Sequence, residues 1–138
     1  MSHSRSKGEQ ELQKKHKTSN SANSFYNSQV LDLLNPEMQK FIEDQEMVFL
    51  STADSKGECD ASFRAGPKGF IKVLDNKTLV FPEFKGNGVM ASLGNISENP
   101  QIGLMFIDFF QTSIGLHVNG EAEIITEKEA SKLVNPLD

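Results

Sequence analysis

The residues of this chain best suited to chemistry are cations set beside turns. Arg64 is the only arginine after Arg5, and it stands in Ser62-Phe63-Arg64-Ala65-Gly66-Pro67-Lys68-Gly69-Phe70-Ile71-Lys72, which reads as two short strands around a tight turn. A hairpin closed symmetrically by Gly66-Pro67-Lys68-Gly69 sets Arg64 opposite Lys72, and like charges facing each other across a strand pair are destabilising. An anion between them removes the conflict. A second basic stretch, Lys85-Gly86-Asn87-Gly88, leads into a predicted helix from Val89, whose first N–H groups and positive dipole end favour a phosphate. Two half-sites of this kind point to a phosphorylated ligand.

Each of these residues also has a plainer reading. Arg64 can pair with Asp60 or Glu83 at the surface, a contact typically worth under ~1 kcal/mol. Lys72 can be a solvated strand lysine, and Asn87 a turn residue or helix cap between two glycines. The remaining reactive groups argue for little. Cys59 lies between Glu58 and Asp60, whose negative charges oppose a nucleophilic thiolate. His3 and His16 fall in a polar N-terminal stretch and His117 stands alone, so no Cys/His cluster has metal-ligand spacing and no metal is expected. By strand alternation His117 points away from the side of Ile114, Leu116 and Val118, towards solvent or a partner subunit. Phe106, Phe109 and Phe110 suit a core, a pocket wall or a dimer seam, with Asp108 beside them; no catalytic acid or base stands out.

The elements that position these residues are helical at the front and mostly β behind. Asn35-Pro36 is an N-cap with proline at the first helical position, and Met38, Phe41 and Ile42 continue at helical spacing to about Gln45. Val30 to Leu34 suggests a helical turn before it. Met47 to Ala53 and Cys59 to Ala65 flank Asp54-Ser55-Lys56-Gly57 as a hairpin, and Phe70 to Leu74 and Thr78 to Phe81 flank Asp75-Asn76-Lys77 as another. A helix over Val89 to Ile96, with Val89, Leu93 and Ile96 on its apolar face, ends at Pro100. Gln101 to Phe109 reads as a strand buried on both faces, Ile114, Leu116 and Val118 alternate, and strand continues to about Ile125. Thr126-Glu127-Lys128-Glu129 is a capping box for a last helix stopped by Asn135-Pro136. About six strands joined by hairpins, with peripheral helices, predict a mainly β fold, a small antiparallel barrel.

At 138 residues, 37% apolar and 24% charged, the chain fits one domain somewhat poor in apolar residues. The deficit is local. Residues 1–24 hold only Met1, Leu12 and Ala22 as apolar side chains and carry a net +3, whereas the rest carries −8. The expectation is a disordered, basic polar tail over 1–24 and a folded domain over 25–138. With no aromatic interleaving and one arginine, the tail argues against nucleic acid; with no apolar stretch behind its basic residues, it argues against an export signal. No stretch is long and apolar enough for a membrane, and a single cysteine fits a cytoplasmic protein.

Gly57 to Asn99, together with Gly115-Leu116-His117-Val118-Asn119-Gly120-Glu121-Ala122, resembles the pyridoxamine 5′-phosphate oxidase-like family of FMN-binding split barrels. The similarity lies in the Ser-x-(Arg/Lys)-x-x-Pro-x-Gly-Phe unit at Ser62, the Pro82 to Asn87 loop, Gly94-Asn95-Ile96-x-Glu98-Asn99-Pro100 and Val118-Asn119-Gly120. It is closest to the general branch of that family, not to the vitamin B6 oxidase; where those oxidases carry a flavin-contacting glutamine, this sequence has Gly115. The resemblance implies a six-stranded antiparallel split barrel that binds FMN as a homodimer, with flavin at the subunit interface. Carried over by motif, Arg64 and Lys72, with Ser62 nearby, would contact the phosphate or ribityl oxygens. Phe81, Pro82 and Glu83 would form the strand end along the ring, and Lys85, Gly86 and Asn87 would close the phosphate end. The implied activity is an FMN-dependent oxidoreductase acting on a small or medium organic substrate. The alternative is a non-catalytic FMN- or heme-binding dimer of the same fold. Members of this type continue past the position of Asp138, so a fragment and a minimal version are both open.

Overall fold

The computed structural model describes residues 6–83 and 90–134. It divides into two compact units between Leu33 and Leu34.

In the first unit, α1 (Lys7–Lys15) and α2 (Ser19–Gln29) stand where the sequence predicts a disordered tail. Local signals explain α1. Ser6 Oγ accepts the Glu9 N–H at 3.0 Å, with Glu9 in the first turn and Lys14 and Lys15 in the last, each charge complementing the helix dipole. The two helices are joined by polar contacts: the Tyr26 hydroxyl donates to the Glu9 carboxylate and accepts from Gln13 Nε2. No residue of α1 is buried, so the pair forms without the apolar core whose lack suggested disorder. Residues 30–34, expected as a helical turn, are not helical.

The second unit begins with α3 (Pro36–Glu43), capped by Asn35, whose Oδ1 accepts the Met38 N–H at 2.9 Å. β1 (Met47–Ala53) and β2 (Cys59–Ala65) form the expected hairpin, register Leu50 to Ser62 and Val48 to Arg64. Its turn is held by Asp54, whose carboxylate accepts the N–H groups of Lys56 and Glu58 at 2.9 Å each, and by Gly57 at φ 84°. β3 (Lys72–Asp75) and β4 (Thr78–Val80) make a separate two-stranded ribbon. After α4 (Ala91–Glu98), β5 (Gln101–Ile107) and β6 (Gly115–Glu121) complete a four-stranded antiparallel sheet, ordered β2-β1-β5-β6. β6 stops short of the expected Ile125, and the Ala122 N–H turns to the Pro100 carbonyl at 2.7 Å. α5 (Glu127–Leu133) opens on the predicted cap, Thr126 Oγ1 accepting the Glu129 N–H at 3.1 Å.

One predicted pairing fails. β2 does not form a hairpin with the strand that follows it: Arg64 faces Val48 on β1, and Lys72 faces Val80 on β4. The turn between them is drawn toward the end of α3, where the Gly66 N–H donates to the Glu46 carbonyl at 2.9 Å and the Gly69 N–H to the Glu43 carbonyl at 2.8 Å. Those bonds carry β3 away from β2. The Arg64–Lys72 repulsion therefore does not arise.

The core lies on one face of the sheet. Val48, Leu50, Leu104, Phe106 and Val118 point inward and are buried, joined by Leu34, Ile42 and Ile71 from the covering segments. α4 packs over β1 and β2, and α3 over β3.

Candidate functional site

Arg64 sits on the inner face of β2, at the edge of the sheet, and its guanidinium has two occupied sides. Its Nε donates to Glu83 Oε1 at 2.6 Å, the two side chains being 20% and 24% exposed. Its Nη1 donates to Ser62 Oγ at 3.2 Å and to the Phe63 carbonyl at 3.0 Å. Ser62 Oγ in turn lies 3.0 Å from Ser92 Oγ. Strand alternation puts Ser62 and Arg64 on one side of β2, two residues apart, and α4 brings Ser92 to them.

α4 reaches this position through its polar face. Besides Ser92 on Ser62, Asn95 Nδ2 donates to Thr52 Oγ1 at 3.0 Å and Asn99 Nδ2 to the Asp54 carbonyl at 3.4 Å. Ser55 Oγ donates to Glu98 Oε1 at 3.0 Å. Positions 92, 95 and 99 share one side of a helix. Ser92 and Thr52 are each 4% exposed, so these hydroxyls are buried and paired, whereas Leu93 and Ile96, the expected apolar face, are only half-buried. Among the described residues no side chain caps the N-terminus of α4; Met90 precedes it in the left-handed conformation, φ 56°. An uncapped helix start offers N–H groups to an acceptor, and Ser92 lies in its first turn. A guanidinium, two hydroxyls and a helix N-terminus form a donor set that suits a phosphate.

Of the residues singled out in the sequence, Ser62, Arg64 and Glu83 come together here, and Ser92 joins them without having been foreseen. Arg64 takes Glu83, not Asp60, as its acidic partner. Lys72 lies on the β3–β4 ribbon, its Nζ 3.8 Å from where a side chain on Gly69 would begin, and no hydrogen bond among the described residues links it to Arg64. Phe81 and Pro82 follow β4 immediately, half-buried and exposed in turn. Lys85, Gly86, Asn87 and the expected helix start at Val89 lie outside the described residues.

The opposite face of the same sheet holds a different surface. One row across the four strands is bulky, Phe63-Phe49-Met105-His117, and the next is small, Ala61-Ser51-Gly103-Asn119. The small row floors an open cleft of about 560 Å³ walled by the bulky one. A Cβ at Gly103 would stand 2.9 Å from Ser51 Oγ and 3.2 Å from Asn119 Oδ1, so those side chains would have to turn aside to admit one. Phe109 continues the ridge, edge-on to Phe49 at 6.5 Å, and Phe110 follows at the tip of the β5–β6 hairpin, 93% exposed. That tip is fixed by Asp108, whose carboxylate accepts from Thr112 Oγ1 at 2.9 Å and from the N–H groups of Phe110, Gln111 and Thr112. These bonds, led by the Thr112 hydroxyl, hold its pKa below the usual aspartate value. His117 lies on this outer face, as its alternation predicts, directly across from Met105. Cys59 is exposed, its thiol on the Gly57 carbonyl.

A mainly antiparallel fold of six strands among the described residues, with peripheral helices and a hydroxyl-lined arginine at the sheet edge, defines a small β domain. The chain belongs to the pyridoxamine 5′-phosphate oxidase family, whose model matches residues 34–137, and its fold is the split barrel of that family. Among solved structures it is similar to HupZ of Group A Streptococcus, 28% identical with a TM-score of 0.51 over 72% of this chain and 74% of that one. A single-site variant of HupZ is 26% identical with a TM-score of 0.53, over 72% and 79%. HutZ, the heme storage protein from Vibrio cholerae, is 17% identical with a TM-score of 0.48, over 75% and 78%. No curated protein matches.

Proposed function

We propose that the second unit is an FMN-binding flavoprotein domain and that it works as an FMN-dependent oxidoreductase on a small or medium organic substrate. The observation that carries this reading is the chain from Arg64 through Ser62 to Ser92 at the uncapped start of α4. Arginine supplies a planar fork for phosphate oxygens, the hydroxyls add donors, and the helix start adds backbone N–H groups. Lys72, Phe81, Pro82 and Glu83 belong to the reading as flanking groups, and Lys85, Gly86 and Asn87 as the loop that closes the phosphate end. Flavin, when bound, supplies the redox chemistry; the protein binds and orients it. A protein isolated yellow, bleached by a nicotinamide donor and recoloured by air supports the enzyme. Tight flavin without turnover reduces the reading to a binding protein, and no uptake of FMN overturns it.

The dimer is part of the same proposal, and the outer face is its seam. Four strands at about 4.8 Å spacing make the ridge and the trench each about 14 Å long. A two-fold axis running between them and parallel to both lays each ridge in the other copy's trench, as an isologous interface requires. Phe63→Asp on the ridge converts the dimer to monomer in sedimentation; an unchanged mass rejects this seam.

A second reading, heme binding without catalysis, is favoured by one observation: His117 stands beside Met105 on the apolar outer cleft, and a histidine there could supply one ligand to heme iron. Reconstituted protein with a heme absorption band that disappears in His117→Ala, together with no affinity for FMN, selects this reading over the first.

A further inference from the structure

The guanidinium on which the phosphate reading rests already holds an anion. Glu83 Oε1 sits 2.6 Å from Arg64 Nε, at the surface but with each side chain roughly one-quarter exposed or less. The two partners are not equally anchored. Arg64 is part of β2 and is held from its other side by Ser62 Oγ and the Phe63 carbonyl. Glu83 lies in the irregular segment after β4, and its carboxylate makes no other hydrogen bond among the described residues. Among the described residues the arginine thus has three acceptors and the glutamate one donor.

A phosphate that reached Ser62, Ser92 and the start of α4 would bring up to two negative charges to the same guanidinium. One cation would then face the phosphate and a carboxylate together, and like charges at such range disfavour the shared arrangement. A carboxylate tethered to the same chain competes at a high effective concentration, on the millimolar scale for short connections.

We propose that Glu83 is an internal competitor: its carboxylate occupies Arg64 when no ligand is bound and must leave before a phosphate monoester can take the site. Glu83 thereby sets the affinity of the site for phosphorylated ligands without touching their unphosphorylated forms. The strand-end role implied for Glu83 by the family resemblance becomes a gating role at the phosphate.

The inference rests on the phosphate reading of Arg64, and its test separates the two. Affinities for FMN, riboflavin and inorganic pyrophosphate are measured on the wild-type chain, Glu83→Gln, Arg64→Ala and the double variant, with a thermal melt to establish that each is folded. Glu83→Gln is expected to tighten FMN and pyrophosphate by about five- to tenfold and to leave riboflavin within twofold. In the Arg64→Ala background the same change should yield no gain, because the competition acts through that guanidinium. A gain for pyrophosphate with no FMN binding in any variant upholds the competitor and removes the flavin reading. Unchanged or weakened affinity for both anions in Glu83→Gln overturns the competitor, whatever the wild-type chain does with FMN. A gain that persists without Arg64 overturns it too, since the effect is then a general change of charge.

Discussion

The two faces of the four-stranded sheet are built from alternate residues of the same strands, yet one is finished and the other is not. The inner face buries Val48, Leu50, Leu104, Phe106 and Val118, with α4 packed over β1 and β2, and even the polar Thr52 and the Ser92 that α4 brings to it are buried with partners. The outer face leaves Phe63 58% exposed, Phe109 52% and Phe110 93%. Contiguous exposed apolar surface marks an interaction site. The inner face thus carries the Arg64, Ser62 and Ser92 cluster, and the outer face leaves an apolar ridge open among the described residues.

The comparison can be broken at its strongest point by truncating one phenylalanine on each face. Phe106→Ala empties a fully buried site and should cost about 3–5 kcal/mol in chemical denaturation, whereas Phe63→Ala at high dilution should change stability by no more than about 0.5 kcal/mol. Equal losses would mean that the outer face is covered within the single chain. A smaller effect probes the trench. Gly103→Ala places a methyl group against Ser51 Oγ and Asn119 Oδ1, movable side-chain ends on an open face, and should cost less than about 1 kcal/mol; a loss above about 2 kcal/mol would show a rigidly packed floor instead.

The smallest expected effect is on the hairpin tip. The folded-state pKa of Asp108 is depressed, so its contribution to stability is complete above the ordinary aspartate value of 3.8 and is lost as the pH falls through the lower folded value. Asp108→Asn should therefore lower stability at neutral pH and flatten its acid dependence below about pH 4. An unaltered acid limb would show that the tip is not held by this carboxylate.

How much of this was legible in the sequence depended on whether the signal was local. The β1–β2 hairpin, the Asn35 and Thr126 caps and the outward direction of His117 follow from turn residues, capping oxygens and period-two alternation, all set within a few residues. The Arg64–Lys72 pairing was not local. It depended on where the 66–69 turn sends its N–H groups, and the carbonyls that receive them belong to Glu43 and Glu46. α4 was misread for a related reason. Its apolar residues drew attention to Leu93 and Ile96, but β1 and β2 present Thr52 and Ser62 to it, so the polar positions 92, 95 and 99 face the hairpin, Ser92 buried and Asn95 and Asn99 half-buried. That spacing was visible, and pairing it with hydroxyls on a neighbouring hairpin would have found Ser92. In the N-terminal stretch the missing apolar residues outweighed a Ser6 cap and favourable end charges, and the Tyr26 contact to Glu9 joins residues too far apart for periodicity to register.

The central claim is that Arg64 receives a phosphate. The direct measurement is the affinity of Arg64→Ala for FMN and for riboflavin side by side. A hydrogen bond to a charged group is worth about 1.5–3 kcal/mol, and about 1.4 kcal/mol is tenfold in affinity. FMN should therefore weaken by roughly ten- to a hundredfold while riboflavin stays within about twofold. An equal loss for both ligands, or none for either, would contradict the assignment.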